Sequence, residues 1–156
     1  MRLLAAANTE LPAAAAQVFG YLSDLRYFGA WFPGVLAISA EHAGGAPGAG
    51  AAYIETVQLP LKRRKQVRIA VVEFAAGQRL VTESPWAPIW PRMQIEVRRL
   101  DDASCAVDWR MYSRSRSALV RTLLLPLVSR MMQARAQQAM RRLQQHFDPA
   151  GTDSSF

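Results

Sequence analysis

The chain has little of the chemistry on which most active sites depend. It contains one cysteine, Cys105, and two histidines, His42 and His146. A single cysteine excludes a disulfide within the chain and fits a reducing compartment, so we expect a cytoplasmic protein and interpret Cys105 as a core residue. Neither histidine has a partner at metal-ligand spacing. We therefore interpret both as solvated or capping residues, and we expect neither a metal nor a cofactor.

Long apolar runs are also missing. No segment has the roughly eighteen consecutive apolar residues of a membrane-spanning helix, and residues 1–7 are too short and too weakly charged for a secretory signal. Hydrophobic residues make up 51% of the 156 residues, enough for one folded core. We assign a single domain to residues 1–147 and a disordered tail to residues 148–156.

Acidic residues are scarce in the last third of the chain. None occurs from Arg110 to Phe147, the net charge is +7, and a second basic cluster spans residues 61–65. We interpret most of this charge as arginine on solvated faces. Contact with an anionic membrane is the alternative. Nucleic acid is not favoured, because stacking aromatic residues do not lie among the basic ones.

What the chain does contain is a long amphipathic segment near its end, from about Ser117 to Phe147. Such a helix would be roughly 45 Å long. Ser115 or Ser117 is a suitable cap, and Pro126 predicts a kink or two successive helices. Other faces carry polar residues such as Arg130 and Arg135. The apolar face recurs at three- and four-residue steps: Leu125, Val128, Met132, Ala136, Ala139, Leu143 and Phe147.

Most of the chain before this helix alternates with the period of β-strands. The clearest case is residues 93–97, where Met93, Ile95 and Val97 share one face, followed by 105–111 with a similar apolar face. Further strands are predicted at 3–9, 35–41, 52–59, 66–74 and 79–84. The glycine-rich segment 44–50 lacks the lysine and the following helix of a phosphate loop, so we interpret it as a hairpin connection.

Two short helices are predicted between the first and second strands. Pro12 is expected to open the first helix, and Asp24 to cap the second. The predicted fold is therefore α+β: a curved antiparallel sheet of about six to seven strands wraps around the long C-terminal helix, with two short helices after the first strand.

These features resemble the START-like superfamily, also called SRPBCC or Bet v 1-like, which has the helix-grip fold. The resemblance rests on Pro12, on the Val-Phe-x-x-Leu-x-Asp pattern of residues 18–24, and on Trp-Phe-Pro-Gly-Val at 31–35. It covers about residues 2–147 and is greatest for the polyketide cyclase/dehydrase and lipid-transport family. It implies an apolar cavity between the sheet and the long helix that binds a hydrophobic small molecule.

Candidate site residues follow from strand parity and from the aromatic and methionine residues. Glu55 is the candidate catalytic carboxylate, since it shares a face of its strand with Tyr53 and Val57. The opposite parity stays open, and ordinary exposure of Glu55 is the favoured interpretation. The candidates for ligand contact are Phe28, Trp31, Tyr53, Thr82, Ser84, Trp86, Trp90, Trp109, Met111, Met131 and Met132.

The loop from Trp86 to Pro91 carries more apolar surface than loops normally do. It is open to three interpretations: a lid at the cavity mouth, a membrane contact, or core packing in which Trp86 and Trp90 fold back onto the helix pair.

The function predicted from the sequence is binding or transport of a lipid, polyketide or aromatic molecule. The alternative is a polyketide cyclase or dehydratase acting in the same cavity, which would need a buried acid or base. A second alternative is peripheral membrane or RNA contact through the basic surface. The sequence gives no indication of oligomeric state.

Overall fold

Seven antiparallel strands form one curved sheet, and helices lie against it. The computed structural model describes residues 1–42 and 44–148. The strands are β1 (Arg2–Leu11), β2 (Val35–Ala40), β3 (Ala52–Gln58), β4 (Arg64–Ala75), β5 (Arg79–Glu83), β6 (Pro91–Asp101) and β7 (Ser104–Ser113). The α-helices are α1 (Ala15–Ser23), α2 (Phe28–Trp31) and α3 (Leu125–Phe147). A 3₁₀ turn spans Leu25–Tyr27, another spans Pro60–Lys62, and a π-helical turn spans Val120–Leu124.

The strand order in the sheet is β1-β7-β6-β5-β4-β3-β2, and every neighbouring pair is antiparallel. The predicted fold class is confirmed. Segment 44–50 lies in the β2–β3 connection, as expected. One face of the sheet is buried: Met93, Ile95 and Val97 of β6 and Trp109 of β7 are all inside the core. Cys105 is also fully buried.

The antiparallel order groups the connections at the two ends of the sheet. The β3–β4 and β5–β6 connections, the start of β1 and the end of β7 share one end. The β2–β3, β4–β5 and β6–β7 connections share the other. Because β7 leads into the last helix, α3 begins beside the β3–β4 and β5–β6 loops.

Side chains of α3 hold the free edge of β1. The amide of Gln133 donates to the Ala6 carbonyl at 2.8 Å and accepts from the Ala6 N–H at 3.1 Å. Ser129 donates to the Leu4 carbonyl, beside an irregularity in the β1–β7 register. Backbone groups that an edge strand would leave unpaired are therefore bonded to the helix.

Two details of the helix boundaries differ from the sequence prediction or refine it. Helix α1 begins at Ala15 after an Ala14 cap, so Pro12 lies ahead of the helix and does not open it. At Pro126, which cannot donate a backbone hydrogen bond, the preceding turn is π-helical, and the Leu125 N–H donates to the Val120 carbonyl. Asp24 does cap the turn after α1, by accepting from the Arg26 N–H at 3.2 Å.

Three smaller predictions concern the two histidines, membrane-spanning helices and the tail of the chain. His42 is exposed, and the ring of His146 stacks on Tyr21 with 4.4 Å between ring centroids. Within the described part of the chain, none of the helices has the length and apolar character needed to cross a bilayer. The tail predicted at 148–156 lies outside the described residues except for Asp148, and it stays a prediction.

Candidate functional site

A cavity of about 340 Å³ lies between the inner face of the sheet and the first half of α3. The second half of the helix packs without such a gap, since Ala136 and Ala139 are fully buried and their small side chains allow close approach. The apolar wall includes Phe28 and Phe32 near α2, Val57, Val67, Ile69, Met93 and Met111 from the sheet, and Val128, Met131 and Met132 from α3.

The cavity opens at the end of the sheet where α3 begins. Leu127 and Pro60 line the cavity and are also exposed, which places them at its opening. Trp86 and Ile89 of the β5–β6 loop line it and are half-buried. We call this opening the mouth. It is bounded by the β3–β4 tip, the β5–β6 loop and the start of α3.

Glu55 on β3 faces into this cavity, so the favoured expectation that it is exposed was wrong. Its residue surface is only 8% exposed, and its Oε2 atom is buried with no hydrogen-bond partner among residues 1–42 and 44–148. Burial raises the pKa of Glu55 to about 7, although the charge of Arg135 opposes this rise. A carboxyl group with this pKa exchanges its proton near neutral pH, which is the property required of a general acid or base.

Arg135 of α3 approaches Glu55 from the opposite wall. Its Nη2 atom donates to the Gln58 carbonyl at 3.0 Å, and burial lowers the pKa of the guanidinium. No ion pair joins Arg135 to Glu55 among the described residues. The two groups therefore form the polar end of a cavity that is otherwise mainly apolar.

Gly34 provides the space that the Arg135 side chain occupies. A Cβ atom at Gly34 would lie 2.5 Å from both Cζ and Nη1 of Arg135, and the backbone of Gly34 has a φ of +87°. The positive φ favours glycine, and a Cβ atom would also force the Arg135 guanidinium, the end of a flexible side chain, to shift from its bond to the Gln58 carbonyl. The Pro-Gly pair of the 31–35 stretch thus fixes the position of a charged group in the cavity wall.

The structure brings most of the predicted site residues together. Their contact with a ligand stays a prediction. Thr82 and Ser84 of the β5 region add hydroxyl groups to the wall opposite α3. The predicted residues that line the cavity are Glu55, Phe28, Thr82, Ser84, Trp86, Met111, Met131 and Met132.

The remaining four predicted ligand residues do not line the cavity. Trp31, Tyr53 and Trp109 are buried in the core. Trp90 is 39% exposed with a φ of 52°, so the interpretation that it packs onto the helix pair was wrong. Strand parity and aromatic content indicate burial, but they do not distinguish the wall of a cavity from the layer behind it.

Trp31 and Trp109, which were predicted to contact a ligand, instead pack behind the aromatic residues that line the cavity. Phe32, which lines the cavity, packs against Trp109 with 5.1 Å between ring centroids. Phe28 stacks on Phe32 at 5.0 Å and meets Trp31 edge-on at 5.0 Å. Ring pairs in such arrangements each contribute about 0.5–1.5 kcal/mol beyond the area that they bury.

Sequence reasoning missed Arg135, which was assigned to a solvated helix face. Its position four residues before Ala139 and three after Met132 places it at the border of the apolar stripe. These are the three- and four-residue steps of the apolar face, so periodicity places Arg135 beside that face, and only its charge assigned it to solvent. Val128 lies on the predicted apolar face and lines the cavity, so its burial was predicted but its contact with the cavity was not.

A larger groove of about 990 Å³ lies at the other end of the sheet. It is open to solvent and is lined partly by charged groups, including Glu10, Arg79 and Glu96. Arg79 is already paired with Glu73 and Glu96. The smaller apolar cavity is therefore the better candidate for a binding site.

A sheet wrapped around a terminal helix, with an apolar cavity between them, defines the helix-grip class of proteins. Residues 5–148 match the family described as Polyketide cyclase / dehydrase and lipid transport, and the chain belongs to this family. No curated protein sequence matches the chain significantly.

Solved structures agree on the fold. A Thermobifida fusca protein determined by solution NMR is 21% identical, with 92% of this chain and 94% of that chain covered and a TM-score of 0.65. A START superfamily protein from Mycobacterium smegmatis is 16% identical, with 90% and 97% covered and a TM-score of 0.60. The di-domain ARO/CYC protein BexL from the BE-7585A biosynthetic pathway is 14% identical, with a TM-score of 0.71. The match covers 94% of this chain and 46% of BexL.

The contact between Gly34 and Arg135 predicts an unequal response of two glycines to the same substitution. Gly77 has a φ of +76°, and a Cβ atom added there would meet no other atom within 4 Å, so Gly77→Ala tests backbone strain alone. We expect Gly77→Ala to lower the free energy of unfolding by about 1 kcal/mol, and Gly34→Ala by about 2 kcal/mol, because Arg135 must also give up its place beside Gln58. Urea unfolding measures both, and equal losses would contradict the packing argument.

The raised pKa of Glu55 predicts how stability changes with pH. The folded protein holds this proton more tightly than the unfolded chain does, so ionisation of Glu55 lowers the free energy of unfolding. The penalty is absent below about pH 4.5, grows as the pH rises to about 7 and is constant above that. It amounts to about 3 kcal/mol at most.

Glu55→Gln should therefore be more stable than the natural protein by an amount that grows between these two pH values. Denaturant unfolding at several pH values measures it. Glu10→Gln, at an exposed site on β1, is the matched control and should show no such growth. A constant difference for Glu55→Gln would disprove the burial of an ionisable group here.

Proposed function

We propose that this protein binds a hydrophobic small molecule carrying one polar group in the cavity beneath α3. The observation that carries the proposal is a mainly apolar cavity of about 340 Å³ that opens at one mouth and has Glu55 and Arg135 as its charged lining residues. Ligand sites typically combine apolar walls with a few placed polar groups. Membership of a family described by polyketide and lipid chemistry supports the same conclusion.

The volume restricts the size of the guest. An engineered protein cavity of about 150 Å³ accommodates benzene. In proportion, a cavity of about 340 Å³ holds about fourteen non-hydrogen atoms. Two or three fused rings, or a single medium-length acyl chain, fit this volume. A lipid with two long acyl chains does not fit inside.

The polar end restricts the chemistry of the guest. Near neutral pH the Glu55 carboxyl can donate a hydrogen bond when protonated and accept one when ionised. The Arg135 guanidinium can only donate. A hydroxyl, ketone or phenol at one end of the guest would satisfy the buried Oε2 atom of Glu55, which has no partner within the described chain.

Filling the cavity should abolish binding. Val128 lines the cavity on α3, whereas Val72 of β4 is 43% exposed and lies outside it. We expect Val128→Trp to weaken binding of 1-naphthylamine, a neutral fluorescent aromatic of two fused rings, by at least tenfold, because the indole occupies the space of the guest. Val72→Trp should bind as the natural protein does.

Fluorescence titration measures both variants, and circular dichroism checks that each is folded. Native mass spectrometry of the freshly purified protein offers a second view, since a retained guest would add its mass. The proposal fails if the natural protein does not bind the probe or if the two tryptophan variants bind it equally.

A second candidate function is cyclisation or dehydration of a polyketide-like substrate, and the observation that favours it is Glu55 itself. A buried carboxylate with a pKa of about 7 can remove a proton from carbon next to a carbonyl group, and the protonated form can return one to a departing oxygen. Binding alone does not require a group with this pKa.

The basicity of Glu55 can be tested without the natural substrate. Ring opening of 5-nitrobenzisoxazole begins when a base takes its carbon-bound proton, and the N–O bond breaks to give a coloured phenolate. We expect the natural protein to accelerate this reaction, with a rate that rises through about pH 7 as Glu55 ionises.

Glu55→Gln should lose at least 90% of this rate while still binding 1-naphthylamine, and Glu10→Gln should retain the rate. Absorbance of the phenolate gives the rate. If Glu55→Gln retains full activity, Glu55 is not the base, and the enzymatic candidate loses its support while the binding proposal stands.

A further inference from the structure

The exposed apolar side chains of this protein are concentrated around the cavity mouth. Apart from Met1, the four most exposed large apolar residues are Leu61 at 87%, Leu119 at 68%, Leu127 at 65% and Leu123 at 63%. Leu61 lies on the β3–β4 tip. The other three recur every four residues, with Leu119 just before the π-helical turn, Leu123 within it and Leu127 in the first turn of α3, and this spacing keeps them near one side. We call these four leucines, with the basic residues beside them, the mouth surface.

The backbone holds part of this surface in an unfavourable conformation. Among the described residues, the non-glycine residues with positive φ are Leu61, Lys62 and Trp90, and all three lie in the two loops at the mouth. Left-handed backbone is costly for a residue with a side chain. Trp90 is held in this conformation by hydrogen bonds, since its N–H donates to the Trp86 carbonyl and its own carbonyl accepts from Arg114. Leu61 is 87% exposed, so its side chain buries little surface in return for the unfavourable backbone.

The charge around these leucines has one sign. Lys62, Arg63, Arg64 and Lys65 follow Leu61, and Arg116 and Arg121 lie beside Leu119. None of the six forms an ion pair with another described residue. Glu83, the acidic residue nearest this end on β5, is already paired with Arg92 and Arg114.

We propose that the mouth surface docks onto the surface of an anionic lipid bilayer. Leucines that project between unpaired lysines and arginines match the interfacial region, where apolar side chains enter the acyl boundary and basic ones meet anionic headgroups. The mouth then faces the bilayer, and a guest can pass between bilayer and cavity without crossing water.

Other occupants fit this surface less well. A second copy related by a two-fold axis would bring like-charged patches against each other. Single-stranded nucleic acid is held by aromatic rings stacked on bases, whereas the projecting groups here are mostly leucines. The proposal does not depend on the guest, since docking involves only the outer surface.

Vesicle flotation tests the proposal with two lipid compositions, phosphatidylcholine alone and phosphatidylcholine mixed with phosphatidylglycerol. We expect the natural protein to float with the anionic vesicles, to float weakly or not at all with the neutral ones, and to lose binding as salt is raised. Leu61→Ser with Leu119→Ser and Leu123→Ser should weaken binding at least tenfold. Lys62→Gln with Arg63→Gln should weaken it roughly fivefold per charge removed.

Matched controls come from the opposite end of the sheet, where Arg98, Arg99 and Leu100 are exposed on β6. Leu100→Ser, and Arg98→Gln with Arg99→Gln, should float as the natural protein does. All variants should keep the circular dichroism spectrum of the natural protein, which shows that the fold is intact.

Several results would overturn the proposal. These are no flotation with anionic vesicles, an equal loss in the far-end variants, or unchanged flotation of the triple leucine variant. Concentration-dependent dimers in light scattering that disappear in the triple leucine variant, without flotation, would assign the surface to a second copy. Anisotropy showing tight binding of an RNA oligonucleotide, again without flotation, would assign it to nucleic acid.

Discussion

The attachment of the last helix to the free edge of β1 determines the rest of this structure. Ser129 and Gln133 bond the backbone of Leu4 and Ala6, so the helix cannot move away from that edge. On its other side Arg135 bonds the Gln58 carbonyl at 3.0 Å. Because α3 is bonded to both sides of the curved sheet, it does not pack closer to the concave face. The space that remains between the helix and the sheet is the cavity.

The polar groups of the cavity depend on this same attachment. Arg135 reaches the wall because Gly34 has no side chain, and it stays charged beside a carboxyl group that burial has made weakly acidic. The two proposed roles of the cavity, ligand binding and proton transfer, would use the same polar groups. A cavity that solvates one polar end of a guest already holds a group able to exchange a proton, and small changes in its surroundings adjust the balance.

The sequence predicted the fold well because the fold depends on periodicity. Alternation at Met93, Ile95 and Val97 and the three- and four-residue steps of α3 each identify a buried face. The cavity depends on what those faces leave empty. Trp109 and Met111 share one face of β7, yet only Met111 lines the cavity, because Phe32 covers Trp109. Periodicity does not show which buried side chain has another layer in front of it.

The pairing of β1 has a consequence for how the chain reaches this structure. Arg2 lies opposite Ser113, and Ala6 is bonded to Gln133, so the earliest strand finds its partners only in the last third of the sequence. Contacts this distant along the chain close late and slow the folding of a β-rich domain. During synthesis, β1 is made long before the strand and the helix that bond to its two edges. The cavity forms only when the last helix packs onto the sheet.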